Sequence, residues 1–175
     1  MKKTFLSAIV GLTFLTANAQ QNFEIGSHIG IPVGDASNGL SFNAGLNLAY
    51  TANVATNFKL GIASGYSHFF KKDIGKDVPL IPIAAKAKYE FSGAPIFADL
   101  DLGYGISVND TFKGGFYAYP KVGYKFSAGE IYLGYQQLSS KYNFEYYDIT
   151  TNSTKKDNSS VSIGSLNVGY TYTFK

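Results

Sequence analysis

The residues able to do chemistry are few in kind. The 175-residue chain has 15 basic residues, all of them lysine, against 12 carboxylates and two histidines; Cys and Trp are absent. Without Cys there is no disulfide framework, thiolate zinc site, thiol nucleophile or lipidated N-terminal cysteine. Two imidazoles leave little for a histidine metal site, and without Arg the bidentate clamps for phosphate and carboxylate are missing. Gly103-Tyr104-Gly105 lacks the third glycine and the following helix of a dinucleotide site, so it reads as a strand glycine pair. Asn109-Asp110-Thr111, Asn152-Ser153-Thr154 and Asn158-Ser159-Ser160 match the glycosylation sequon but read as ordinary polar loop residues. No clustered basic face suggests nucleic acid. The expectation is a non-enzyme without cofactor or metal.

What remains is a set of charges at alternate positions: Lys86, Lys88 and Glu90; Asp99 and Asp101; Lys121 and Lys125; with Glu24, Lys59 and Glu130 elsewhere. Alternation places each group on one face of an extended strand. Eight segments carry the same period of two. They are β1 (Asn22–Val33), β2 (Leu40–Tyr50), β3 (Asn57–Phe70), β4 (Leu80–Phe91), β5 (Pro95–Ile106), β6 (Phe116–Phe126), β7 (Glu130 to about Tyr147) and β8 (about Ser160 to Phe174). In β2 the apolar face is Leu40, Phe42, Ala44, Leu46, Leu48 and Tyr50, set against Ser41, Asn43, Gly45, Asn47 and Ala49. No helical stripe of useful length is present.

Residue size decides which face is inside. Ten glycines share the polar face with the charges, and only Gly164 lies opposite. Most rings, including Phe42, Phe58, Tyr66, Tyr104, Tyr135 and Tyr170, lie on the apolar face; Phe97, Tyr117, Tyr119 and Tyr132 lie on the polar one. An eight-stranded barrel has an interior just wide enough for side chains. A soluble barrel of the lipocalin kind would have to crowd the rings inside while its glycines faced water. The bulky face is therefore outside, and an apolar outside needs lipid. Longer polar connections alternate with shorter turns, and strands of about ten residues suit a tilted bilayer crossing. Aromatics gather where the descending strands end: Tyr50, Tyr89 and Phe91, Tyr124 and Phe126, then Tyr170, Tyr172 and Phe174. The predicted fold is an all-β, eight-stranded antiparallel up-and-down transmembrane barrel.

The N-terminus reads as an address. Met1-Lys2-Lys3 is basic, Phe5–Thr16 is apolar, and Ala17-Asn18-Ala19 supplies small residues for cleavage before Gln20. A buried helix is the competing reading. A signal peptide over 1–19 leaves a barrel domain over 20–175, with 13 lysines against 12 carboxylates.

The chain resembles the small outer-membrane barrels of the OmpX and OmpA-transmembrane-domain type, and more broadly the outer membrane beta-barrel proteins of Gram-negative bacteria. The residues that carry the likeness are the leader, the eight strands, Gly123-Tyr124-Lys125-Phe126 and the terminal Tyr170-Thr171-Tyr172-Thr173-Phe174-Lys175. The resemblance implies residence in the outer membrane, contact with its lipid, and recognition of Tyr170, Tyr172 and Phe174 by the barrel-assembly machinery. Lys175 after Phe174 departs from the family's aromatic terminus. Such barrels serve as anchors, adhesins, channels and lipid enzymes, so the likeness specifies architecture better than activity.

Parity puts Glu24, Glu90, Asp99, Asp101 and Glu130 inside, together with Lys59, Lys86, Lys88, Lys121 and Lys125. A selective pore is lined by one dominant sign; a balanced set reads as a paired ionic core that closes the lumen. A two-residue turn at Gly93-Ala94 would set Lys88 opposite Asp99 and Lys86 opposite Asp101, and one at Ser127-Ala128 would set Lys125 opposite Glu130. His28 points inward as a satisfied interior imidazole. His68 and Ser64 face lipid, as a deacylase pair would, but no carboxylate is evident beside them.

The last hairpin differs from the rest. Outward Ile131, Leu133 and Tyr135 give way to Gln137, Ser139, Lys141, Asn143 and Glu145, while the inward set becomes Tyr142, Phe144 and Tyr146; β8 begins with Ser160, Ser162 and Gly164 outward and Val161 and Ile163 inward. Both strands leaving lipid for water would produce this, and so would a bulge at Gln136-Gln137. The expected function is a monomeric structural or surface-interaction barrel with an extracellular partner at the β7–β8 hairpin. The alternative is a small passive channel for ions or small solutes.

Overall fold

The computed structural model describes residues 21–72, 76–108, 114–127, 129–148 and 153–174. The expected leader over 1–19, with Ala17, Ala19 and Gln20 at its cleavage point, lies outside the described residues. So do Asn109–Thr111 and Asn152.

Alternation produces eight strands: β1 (Gln21–Val33), β2 (Leu40–Ala55), β3 (Phe58–Lys71), β4 (Val78–Glu90), β5 (Ile96–Ser107), β6 (Gly115–Phe126), β7 (Gly129–Asp148) and β8 (Ser153–Phe174). They form one closed barrel in chain order, each pairing antiparallel with the next and β8 with β1. A short 3₁₀ turn over Gly34–Asn38 follows β1. Two expected bounds move by more than two residues. β2 runs five residues past Tyr50, so the turn to β3 is Thr56-Asn57 alone, and β8 starts at Ser153 rather than near Ser160. The added part of β8, Ser153–Ser159, is polar on both faces, and the added part of β2, Thr51-Ala52-Asn53-Val54-Ala55, is built of small residues, so neither shows a strong alternation.

The stagger follows from the ladders. From Phe23 the partners run through Tyr50, Ile62, Ala85, Leu102, Ala118, Gln137 and Gly164, and return to β1 at Val33, ten residues further along. Such a shear tilts the strands and sets the barrel's width. The hairpin registers are as expected: Lys86↔Asp101, Lys88↔Asp99 and Lys125↔Glu130. Gly93, at φ 81°, takes the left-handed conformation that closes the β4–β5 turn. The β7–β8 ladder is unbroken from Glu130↔Thr171 to Asp148↔Ser153, so no bulge interrupts it at Gln136-Gln137.

Proline opens two gaps in the wall. Pro82 has no N–H, and the β3–β4 ladder lacks pairs between Ser64↔Ile83 and Ser67↔Leu80. Ser64 lies on the outer face there, and its hydroxyl donates to the Pro82 carbonyl at 2.8 Å. Pro120 opens the β6–β7 ladder between Ala118↔Gln137 and Lys121↔Gly134.

The faces sort as the residue sizes require. Large apolar side chains cover the outside on every strand, from Ile29 at 68% exposure to Tyr50 at 36%. Phe97, Tyr117, Tyr119 and Tyr132 are buried inside, and Phe69 joins them as a fifth interior ring. Glycine makes room for them: a Cβ on Gly169 would overlap the Tyr132 ring.

Candidate functional site

The interior is stacked in layers, and the ladders set the order. Nearest the short turns, Lys59 of β3 and Lys125 of β6 meet on Glu90 of β4, at 2.6 and 3.0 Å. Above them Lys88 of β4 pairs with Glu130 of β7 and lies 3.6 Å from Glu24 of β1. Next, Lys86 pairs with Asp99 and reaches Asp101 at 3.4 Å and Glu24 at 3.7 Å, while Lys121 reaches Asp101 at 2.5 Å and Asp99 at 3.3 Å. All ten charges singled out by parity are therefore paired inside, three of them around Glu90 and the other seven in a cluster above it.

Their partners differ from the expected ones. Lys88 stands opposite Asp99 in the ladder, yet its ammonium crosses to Glu130, and Lys86 and Lys121 hold Asp99. Lys125 stands opposite Glu130 but binds Glu90. The physical reason is curvature. On a narrow concave wall long side chains converge, so a lysine meets carboxylates of non-adjacent strands before it settles beside its ladder partner. Rings line the same space: the Lys88 ammonium lies 4.5 Å from the Phe97 centroid, and that of Lys121 lies 4.8 Å from Tyr119. A void of about 20 Å³ remains beside Glu24, Asn47, Lys86, Asp101 and Lys121. That is room for a single water.

A neutral polar layer follows. Asn47 donates to His28 Nδ1 at 3.1 Å, and Ser67 Oγ lies 3.1 Å from Nε2, so both ring nitrogens of His28 are engaged. This is the satisfied interior histidine expected from sequence. Gln136 donates to Ser67 and Tyr117 and accepts from Asn43 at 2.7 Å. Above it Phe69, Leu80, Leu138 and Ile163 pack under Leu40 and Ala36. Sequence reasoning had missed this cap as a barrel-wide feature. The signal was present in the parity of Phe69 and Leu80, which fall inward on their own strands.

On the outer rim a carboxylate does stand beside His68. Its Nε2 lies 3.3 Å from Asp77, and its Nδ1 lies 2.9 Å from the Tyr66 hydroxyl. Asp77 in turn accepts the Lys71 N–H at 2.9 Å, and that bond holds its carboxyl below the ordinary carboxylate range. Ser64 takes no part, because its proton goes to Pro82. A nucleophilic serine is therefore not activated by this imidazole. Asp77 was missed because it lies nine residues beyond His68, across a connection, where only the fold brings it back.

Tyr170, Tyr172 and Phe174 line the outer wall at the short-turn end. The Phe174 ring lies 4.8 Å from Tyr172 and 5.9 Å from Phe23, and Tyr170 lies 6.1 Å from Phe126. Among the described residues no group of His, Cys, Asp and Glu is arranged to hold a metal. Among them, too, no helix is long and apolar enough to cross a membrane.

The geometry defines a class of protein: a closed eight-stranded up-and-down barrel, apolar outside and charge-paired within. No family model matches the chain, and no curated protein does. Solved structures of similar shape include Neisserial surface protein A, at 16% identity over 90% of this chain and 99% of that one, with a TM-score of 0.47. Others are the outer membrane protein AlkL in lipid bilayers (11% identity, 91% and 92% covered, TM-score 0.48) and the outer membrane protease OmpT from Escherichia coli (9%, 91% and 98%, 0.35). At these values the assignment rests on the chain's own geometry.

Proposed function

We propose that this chain is an integral outer-membrane barrel, exported by a cleavable leader and inserted as a monomer, whose β7–β8 hairpin engages a partner outside the cell. The hairpin carries the reading. Its ladder continues to Asp148↔Ser153, whereas β6 pairs with β7 no further than Phe116↔Ser139 and β1 pairs with β8 no further than Val33↔Gly164. Among the described residues no strand extends the sheet on either side above those rows. Unpaired edges can accept another strand, giving adhesion by strand addition.

The apolar exterior supports insertion, since only helices and closed barrels satisfy their backbone within a bilayer. The lumen supports a closed barrel. Ion pairs join β4 to β7 and β1 across it, and an apolar cap lies above. The test is topological and then functional. An epitope inserted after Asn152 should be reached by antibody on intact cells, and one after Gly93 should not. Deleting Thr150–Asp157 should then abolish surface binding while assembly continues. Labelling at Gly93 alone would invert the orientation and remove the adhesion reading, and unchanged binding after the deletion would place the partner elsewhere.

A further inference from the structure

The two strand edges above the barrel are not alike. On β7 the last β6 row is Phe116↔Ser139, and Gly115 lies against Ser140, where an added Cβ would come within 2.8 Å of the Ser140 Cα. From Lys141 to Asp148, therefore, β7 has β8 on one side and, among the described residues, no strand on the other. On β8 the corresponding stretch runs from Ser153 to Ile163, beyond the Val33↔Gly164 row. An antiparallel ladder uses the N–H and C=O of alternate residues, so each edge offers its remaining backbone groups to an incoming strand. Backbone alone does not distinguish the edges, but residue type does. Alternate positions of β7 carry Tyr142, Phe144 and Tyr146, on the face continued from Leu138 of the apolar cap, and the positions between them carry Lys141, Asn143 and Glu145. Along Ser153–Ser160 the β8 edge alternates Ser, Lys, Asp and Ser with Thr, Lys, Asn and Ser, polar on both faces. A strand added to β7 gains an apolar row to lie beside, and one added to β8 gains none.

We infer that β7 is the docking edge and that it takes an extended protein segment of complementary pattern: apolar at alternate residues, with a lysine or arginine and an acid four residues apart on the other face. The inference rests on the hairpin reading above and names the chemistry of its partner. Antiparallel addition is the more stable pairing, and a strand so added meets Glu145 first and Lys141 last. Its cation therefore precedes its acid. Within the hairpin Glu145 stands opposite Lys156, whereas Lys141 stands opposite Ser160. Lys141 thus has no acid in its own ladder row, and the partner's acid is the stronger of the two specifying charges.

The chain supplies its own probe. Read antiparallel, Lys141-Tyr142-Asn143-Phe144-Glu145 is its own complement: Lys141 falls opposite Glu145, Tyr142 opposite Phe144, and Asn143 opposite Asn143. The protein, reconstituted in phosphatidylcholine vesicles, is titrated with a capped fluorescent peptide of residues 140–146 and with the same peptide carrying Lys141 and Glu145 exchanged. The two peptides have one composition and one net charge. The natural order should bind about tenfold more tightly, because the exchange turns two attractive rows into repulsive ones. Lys141→Glu in the protein should bring that ratio to about one, and Lys141→Ala should narrow it where the first variant assembles poorly. Equal binding of the two peptides to the wild type, a tenfold preference that survives both substitutions, or tighter binding of the exchanged peptide would overturn the inference. Absence of binding by either peptide, while deletion of Thr150–Asp157 still abolishes surface binding, would overturn it and leave the hairpin reading standing. An epitope after Asn152 that antibody cannot reach on intact cells would remove the hairpin reading itself.

Discussion

Lys88 joins three strands at one depth of the barrel: it sits on β4, pairs with Glu130 of β7 and lies near Glu24 of β1. Removing it leaves two buried carboxylates short of a cation. Lys88→Ala should therefore cost roughly 3–5 kcal/mol of unfolding free energy, as for a broken buried pair. Urea unfolding in detergent measures it, and a loss under about 1 kcal/mol would mean that Lys86 takes over both acids. Asp77 shows the same logic at the rim, where solvent makes the effect one of pH. Its carboxyl is held below the ordinary carboxylate range by the Lys71 N–H. The contribution of a group so depressed is complete above the unfolded-state value and is lost as pH falls through the folded one. Protection of the Lys71 amide, taken relative to its intrinsic exchange rate at each pH, should thus fall in acid, and Asp77→Asn should remove that dependence. An amide whose exchange in acid is the same in both proteins would show that the carboxylate does not protect it.

At the scale of elements, two of the strand prolines, Pro82 and Pro120, are as informative as the charges. A barrel in lipid must satisfy its own backbone, and Pro82 takes a donor out of the β3–β4 ladder. Ser64 returns one to the Pro82 carbonyl. Ser64→Ala should lower stability by roughly 1–3 kcal/mol, the cost of an unsatisfied buried acceptor, with no effect on surface binding. Refolding yield and urea midpoints in vesicles would decide it, and an unchanged midpoint would assign the serine no structural role. The hairpin of β7 and β8 is the other distinctive element. Its polarity inverts at Gln137 and Leu138 without a break in register, with Gln137 on the outer wall and Leu138 in the apolar cap inside.

For the whole molecule, closure and plugging go together. The ten-residue stagger draws eight strands around an interior that rings, lysines and carboxylates fill, leaving a void of about 20 Å³ at mid-depth. Refolded protein should be rich in sheet, heat-modifiable on gels, and soluble only with detergent or lipid. Its conductance in planar bilayers should be small or absent. A large, steady conductance would favour the passive-channel alternative, and a detergent-free soluble monomer would remove the membrane reading altogether.

Strand number, the inner and outer faces and the hairpin registers were legible in the sequence because each rests on short-range information. A period of two sorts side chains within a strand, and a tight turn such as the one at Gly93 sets the register of its two neighbours. The ends of β2 and β8 were not legible, since alternation fades where both faces are polar, as at the start of β8, or where the residues are small, as at the end of β2. Nor could the pairing of Lys88 with Glu130, or the meeting of His68 with Asp77, be read from the chain. Those contacts depend on the stagger at which β8 closes on β1 and on how steeply the wall curves. Both are properties of the completed barrel, because they place side chains from distant strands within reach of one another only after the sheet has closed.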